Sequence, residues 1–492
     1  MIMERRDFVK KSMTAGAAIT MPGYVYSKIL GANDRIRLGI IGIGSDIKLG
    51  GKGKDEINKF RKIPGVEIAA ICDCDKDILR KEEAEFRKRN EKVKTYIDFR
   101  DLLDDKDIDV VSITTPNHSH ALITIMACQA GKDVFVQKPA SHNIWEGRKM
   151  VEAASRYKRI VQVPSNAREP NGNREAYKYA RDGNLGKIKW IHGLNFKPRM
   201  SIGKVKGEQP IPQSVNYNLW CGPAPMKPLM RKYLHYDWHW DWDTGDGDLG
   251  NMGIHFLDGC RMALGTDKVP EHAMALGGRF GYDDDGETPN TMLIYFDYET
   301  PVIFEVRGLP SDSIFRKSNW VVNKNISMDR IYGISLGVIV YCEDGYICNN
   351  AAYDYRGRLI RQFKSNGQDT RINFIDAVRE RNASLQNAHV LDGHLSMVLA
   401  HMGNISIRLG REVSNSEIRE RIKGFPELDE SFERFDNHLY ANRIDLRKTP
   451  VTLGPMLTLD PVGEKFTGDF SEEANRLVKP TYRKPFIITE KI

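Results

Sequence analysis

Ile36-Arg37-Leu38-Gly39-Ile40-Ile41-Gly42-Ile43-Gly44 is an apolar strand that runs straight into a glycine turn. Outward from it the same alternation repeats. Residues 66–72 are a second apolar run, and residues 75–89 are charged and helix-prone. Residues 109–114 form a third strand ending in Thr115-Pro116-Asn117. Residues 118–130 are apolar at helical spacing until Gly131 stops them. Residues 134–136, 144–156 and 160–163 follow as strand, helix and strand. Strands separated by helices of this length predict an α/β domain with a doubly wound parallel sheet. The pattern then changes. Residues 187–196, 272–280, 291–306 and 333–342 are strand-like with few helices between them, which predicts an α+β domain with an open, mostly antiparallel sheet. Two covering helices are expected at 371–381 and 391–409; the second sets Leu391, Leu395, Val398, Leu399, Met402, Ile405 and Leu409 on one face.

At 492 residues the chain is longer than one core usually covers, so two domains are expected. It is 41% hydrophobic and 28% charged, an ordinary globular balance, with a net charge of +7. No basic helix is interleaved with aromatics, so nucleic acid is not an expected partner. The seven cysteines lack zinc-like spacing. Cys72 and Cys74 share a strand face and read as buried thiols. Glu4-Arg5-Arg6-Asp7-Phe8-Val9-Lys10-Lys11, followed by a weakly apolar stretch, is a twin-arginine pattern. Export to the periplasm is therefore expected. No later run approaches the ~20 apolar residues of a membrane span.

Several motifs carry chemistry. Gly42-Ile43-Gly44 fits a tight turn followed by close approach of backbone to a pyrophosphate. Ile47 stands where a third glycine belongs, and Gly50, Gly51 and Gly53 come later, so a longer turn is expected. Asp73, at the end of the second strand, can accept both ribose hydroxyls of NAD and would repel the 2′-phosphate of NADP. Thr115, Asn117 and His120 stand at a helix start, where they can reach ribose or phosphate; N-capping is the plainer reading of Asn117. Asp133-Val134-Phe135-Val136-Gln137-Lys138-Pro139 delivers Lys138 to the carboxyl edge of the sheet, where such sheets bind ligands. Its ammonium can hold a hydroxyl or relay a proton. Residues 233–243 hold three tryptophans, two histidines and three aspartates. Tyr236, Asp237, Trp238 and His239 in this stretch can stack on a sugar ring and bond its hydroxyls. Aromatic packing is an open alternative, and so is a metal held by His235 and His239 on a helical face.

Gly42-x-Gly44, Asp73, Thr115-Pro116-Asn117-x-x-His120 and Gln137-Lys138-Pro139 together resemble the Gfo/Idh/MocA oxidoreductase family. The segment from Gly247 to Asp258 resembles that family's stretch in which an acid and a histidine four residues apart face the nicotinamide. Tyr482-Arg483-Lys484-Pro485-Phe486 and the twin-arginine start resemble its exported bacterial branch. The resemblance implies a Rossmann domain followed by an open antiparallel sheet, and a homo-oligomer, dimer or tetramer. It implies tightly held NAD, bound by Gly42, Ile43, Gly44, Asp73, Thr115, Asn117, His120, Gln137 and Lys138. The expected organisation is signal and linker (1–33), Rossmann domain (34–165), substrate and oligomerisation domain (166–447) and an extended arm packed on the fold (448–492).

Two departures matter. The family's Glu-Lys-Pro is Gln137-Lys138-Pro139 here, and Asn251 replaces the usual acid. Asparagine cannot take up a proton at neutral pH. His255 is therefore the expected base and Lys138 the anchor of the hydroxyl. Asn251, His239, Trp238, Tyr236 and Asp237 are expected to hold the sugar, and no metal is expected. The expected activity is NAD-dependent oxidation of a sugar or glycoside ring hydroxyl, with C3 preferred by analogy. One alternative is an NAD-dependent glycosidase acting by transient oxidation and elimination, against which Lys138 argues. Another is a non-catalytic carbohydrate-binding protein.

Overall fold

The structure is a computed structural model. It describes residues 35–45, 50–169, 172–316, 326–365 and 367–492. The twin-arginine stretch and Ile47 lie outside the described residues.

The first sheet is parallel and contains β1 (Ile36–Ile41), β2 (Val66–Cys72), β3 (Lys94–Tyr96), β4 (Val110–Ile113), β5 (Asp133–Val136) and β6 (Val161–Gln162), in the order β3-β2-β1-β4-β5-β6. β4 and β5 are buried at every residue, as strands covered by helices on both faces must be. That explains why Val, Ile and Phe dominate both strands. β3 was not expected: Lys94-Thr95-Tyr96 is a mostly exposed edge strand with no apolar signal. The helices Lys76–Lys88 and Ile144–Arg156 start where Asp75 and Asn143 accept backbone N–H bonds as N-caps. Strand order reverses between β1 and β4, which opens a crevice at their carboxyl ends.

The second sheet is mixed. It is built on β7 (Ile188–Phe196), β8 (His272–Gly278), β9 (Thr291–Asp297), β10 (Val302–Arg307) and β11 (Leu336–Cys342). The pairings are antiparallel except β7 with β10. Residues 291–306, expected as one strand, are two strands joined by a turn at Pro301. Three short strands, β12 (Tyr346–Cys348), β13 (Ala351–Tyr353) and β14 (Leu359–Gln362), extend one edge. The long helix Val390–Arg408 packs between this sheet and the helix Ile144–Arg156. It is buried along nearly its whole length, which accounts for its apolar character all round.

Residues 448–492 are not a simple extended arm. After β15 (Arg411–Val413), the segments β16 (Val451–Leu453), β17 (Leu457–Asp460) and β18 (Lys465–Thr467) enter the second sheet, with β16 and β17 both pairing with β8. A helix, Ser471–Val478, follows. The end of the chain returns to the first domain, where Lys149 Nζ donates to the Glu490 carbonyl at 2.8 Å. Strands of three or four residues between Pro and Gly are too short to show a period of two.

Candidate active site

The crevice opens into a cavity of about 440 Å³. Gly42, Gly44, Asp73, Thr115, His120, Gln137 and Lys138 line its first-domain side, and Lys197, Arg199, Tyr236, Trp238, His239, Asn251 and Met252 its second-domain side.

The glycine turn is sterically closed to any side chain. Gly42 has φ +86° and Gly44 φ +131°. A Cβ on Gly44 would lie 2.2 Å from the Gly51 Cα. Gly53 does the work of the missing third glycine: its Cβ would lie 2.1 Å from the Gly42 carbonyl oxygen and 2.6 Å from the Ile43 Cα. The helix Lys52–Phe60 therefore rests directly on the turn. Its cap, Gly51, supplies no side chain to the first amides. A bare glycine floor at a helix N-terminus fits a pyrophosphate. Asp73 fits a ribose: Oδ2 accepts from the Ile43 amide at 2.8 Å and Oδ1 from the Asp75 amide at 2.9 Å. Each oxygen keeps a second lone pair. Burial raises the pKa of this carboxyl, and those two bonds hold it down. The residues present thus fit NAD.

Three cofactor expectations need correction. Ile43 is fully buried and its amide is given to Asp73, so it faces no ligand. Asn117 is 1% exposed and turns away from the cavity, its amide donating to Asp246 of the second domain. His120 lines the cavity, but its two ring nitrogens lie 2.7 Å from the Pro139 and Thr115 carbonyls. It braces the ends of β4 and β5 against each other.

Gln137 is explained by a partner the sequence does not reveal. Its Nε2 donates to Glu56 Oε1 at 3.0 Å. Glu56 is fully buried and held by Arg371 at 2.6 and 2.8 Å, with Lys52 at 3.1 Å. A glutamate at 137 would face that carboxylate. An amide is the residue that fits.

Lys138 Nζ donates to the backbone oxygen of Asn251 and, at 3.1 Å, to its Oδ1. Asn251 sits in a π-helical turn, Leu249–Gly253, a local widening common at functional sites. Burial above all, then the charges of Lys197, Arg199 and Lys52, lower the Lys138 pKa to about 7. His239 Nδ1 donates to the Tyr236 carbonyl at 2.6 Å, which leaves Nε2 as an acceptor. Burial pushes its pKa down to about 3, so the ring is neutral. Trp238 stacks on it, centroids 3.6 Å apart and planes at 19°.

His255 stands differently from its expected role as base. It is 6% exposed and not part of the cavity wall among the described residues. Its Nδ1 accepts the Asn166 amide at 3.0 Å. A neutral ring in that position carries its proton on Nε2 and can only donate there. Burial, then Lys138 and Lys197, hold its pKa well below the usual range. Asp237 also leaves the site. Its Oδ2 accepts the Tyr233 amide at 2.9 Å and the residue lines a separate cavity of about 230 Å³. His235 and His239 do not converge, since His235 Nε2 lies 3.0 Å from Asp75.

Sequence reasoning missed Lys197 and Arg199. They follow a strand that was recognised, at the same kind of strand end that singled out Lys138.

Residues 36–165 match the oxidoreductase family's NAD-binding Rossmann fold, and residues 185–288 its C-terminal alpha/beta domain. The inositol 2-dehydrogenase of Salmonella typhimurium is 30% identical over 163 residues, 33% of this chain and 46% of that protein. A glycosyl hydrolase family 109 protein of Shewanella sp. is 29% identical over 165 residues, 32% of this chain and 34% of that one. The chain thus spans less than half the length of these curated relatives. Among solved structures, the WlbA dehydrogenase from Bordetella pertussis, crystallised with NADH and UDP-GlcNAcA, shares the fold at a TM-score of 0.54 and 18% identity, over 76% of this chain and 97% of that one.

Proposed function

This chain belongs to the Gfo/Idh/MocA oxidoreductase family, and on that premise we propose that it is an NAD-dependent dehydrogenase acting on a ring hydroxyl of a sugar or glycoside, with C3 the preferred carbon. The observation that carries the reading is Lys138: a lysine with pKa about 7 in a cavity whose floor fits NAD. NAD, when bound, supplies the hydride acceptor. Neutral Lys138 takes the hydroxyl proton at Nζ as the C–H hydride leaves and the C–O bond becomes a carbonyl. Asn251 positions that amine. His239 Nε2 accepts a hydrogen bond from a neighbouring hydroxyl, and the Trp238–His239 stack offers an apolar wall. The base role expected of His255 passes to Lys138, because His255 offers only a proton.

The test is direct. Denatured protein should release NAD(H), and a sugar panel should change nicotinamide absorbance with wild type but not with Lys138→Met. No released nucleotide together with no thermal shift on adding NAD would sink the reading. NMR of the keto product locates the oxidised carbon. The glycosyl hydrolase relatives favour a second outcome, glycosidic cleavage. A free aglycone with no net nicotinamide change would establish it, and a stable keto-sugar would exclude it. The twin-arginine stretch supports work in the periplasm on tightly held NAD, and the family resemblance supports a homo-oligomer. Cell fractionation of an Arg5→Lys/Arg6→Lys variant tests export, and light scattering tests assembly.

A further inference from the structure

The acidic and aromatic segment 236–241 divides between two cavities. Tyr236, Trp238 and His239 line the one already described, and Asp237, Trp240 and Asp241 line a second of about 230 Å³. Trp220 lines both, and Arg199, on the wall of the first, lies over the Trp240 ring at 5.4 Å. The two cavities therefore adjoin. Tyr217, Trp220 and Trp240 give the second its aromatic walls. An apolar cavity of roughly 150 Å³ admits a benzene ring, so this one has room for a single six-membered ring and its substituents.

The polar groups of this second cavity are only partly used. Arg231 is 8% exposed and gives Nη1 to Asp241 Oδ2 at 3.0 Å, yet its buried Nε and Nη2 have no acceptor among the described residues. Asp237, 3% exposed, accepts the Tyr233 amide with Oδ2 only. Burial pushes its carboxyl up to about 6, so at pH 7 it is largely ionised with one oxygen unmet. Asp285 and Glu287 each accept a single backbone amide, from Val205 at 2.7 Å and Trp242 at 2.8 Å. Buried donors and acceptors without partners are costly, and here both kinds belong to the wall of one space. An anion is opposed by five lining carboxylates, against Arg231 and Lys227 as the lining cations. A cation would leave the Arg231 donors unmet. A metal ion is not favoured either, since among the described residues no three of these acids converge on one position. A hydroxyl both donates and accepts. Water does so too, but a sugar ring adds apolar faces for the aromatic walls.

We propose that the second cavity is a binding site for one ring of a neutral saccharide, whose hydroxyls accept from Arg231 and donate to Asp237, Asp285 and Glu287. It lies outside the cavity of hydride transfer and stands apart from the dehydrogenase reading. The experiment is calorimetric titration of NAD-loaded protein with glucose, galactose, mannose, xylose, N-acetylglucosamine and, as a cationic control, putrescine. At least one sugar should bind at millimolar concentration or below. Arg231→Met and Asp237→Asn should each weaken that site about tenfold or more, with NAD affinity retained as evidence of folding. Should Arg231→Met not fold, the isosteric Asp237→Asn carries the test alone. The same site should persist in Lys138→Met. No sugar bound, sugar binding that neither variant weakens, a site lost in Lys138→Met, or putrescine bound more tightly than every sugar would each overturn the proposal. A sugar site sensitive to Arg231 and Asp237, with no change in nicotinamide absorbance on any sugar, would keep it and remove the dehydrogenase. Absorbance changes with sugar binding indifferent to both residues would do the reverse.

Discussion

Asn251→Asp should convert Lys138 from a base into a cation at neutral pH. In the wild type, the fall from the ordinary lysine value of 10.5 to about 7, at ~1.36 kcal/mol per pH unit, amounts to about 5 kcal/mol against the ammonium. Asn251 Oδ1 lies 3.1 Å from Nζ. A carboxylate oxygen at that place attracts the ammonium by about 5 kcal/mol at an effective dielectric constant of ~20, the same size as the penalty. Part of this is spent on burying the new carboxylate, so an upward move of ~2 pH units is expected. Sugar oxidation requires neutral Lys138. In the wild type its rate should fall tenfold per pH unit below about 7 and stay level above. In Asn251→Asp the break should stand near pH 9, with a rate about twenty-fold lower at pH 7.5 and recovery in alkali. Ketone reduction, which needs the ammonium, should show the mirror-image profile. Stopped-flow nicotinamide absorbance from pH 5.5 to 10 measures both directions. If wild type and variant break at the same pH, the proton is not on Lys138 and the assignment fails.

Other substitutions probe the supports of the site. Gln137→Glu sets a second carboxylate against Glu56, where an amide now donates at 3.0 Å. It should cost about 2–4 kcal/mol at pH 8. Because the buried acid's pKa is raised in the folded state, the loss should shrink as pH falls, and thermal melts at pH 5 and 8 should reveal this. Gly53→Ala forces a methyl to within 2.1 Å of the Gly42 oxygen. Fluorescence titration should find NAD affinity weakened at least about tenfold, with roughly 1–3 kcal/mol of stability lost. Asp73→Ala removes the ribose acceptor and frees the Ile43 and Asp75 amides. The preference for NAD over NADP should fall by about tenfold or more in competitive binding.

What the sequence disclosed follows from how local each signal is. β1, its glycine turn, Asp73 and the strand that ends at Lys138 are contiguous patterns, and their period and punctuation place them at the sheet's carboxyl edge. Gly53 was visible as a residue but not as the third glycine, because that role depends on where a lengthened turn brings the helix back. Glu56 and Arg371 lie 315 positions apart, and no spacing rule joins them. His255 shows the limit most plainly. Its residue type suits a base, but its role turns on the tautomer, and the tautomer on an Asn166 amide supplied from 89 positions upstream. Asp237 and Asn117 fail for a related reason. Each sits beside cavity residues in the chain, and each turns its side chain the other way.

The two departures from the family pattern have a single electrostatic consequence. A glutamate at 137 or an acid at 251 would each bring negative charge toward Lys138 and favour its ammonium. The structure keeps both away. The carboxylate that meets Gln137, Glu56, is bound by Arg371, and the Lys138 amine is met by the neutral oxygens of Asn251. Lys197 and Arg199 then repel the charge further, while Asp248, which opposes them, is engaged with Arg199. Neutral neighbours and remote cations thus act in one direction, toward an amine free to accept a proton near pH 7. Lys197→Met removes one of the cations that hold the Lys138 pKa down, so the acid break in kcat/KM, which reports the free enzyme, should lie at higher pH in the variant. An unchanged break would leave Lys197 without a part in setting the base.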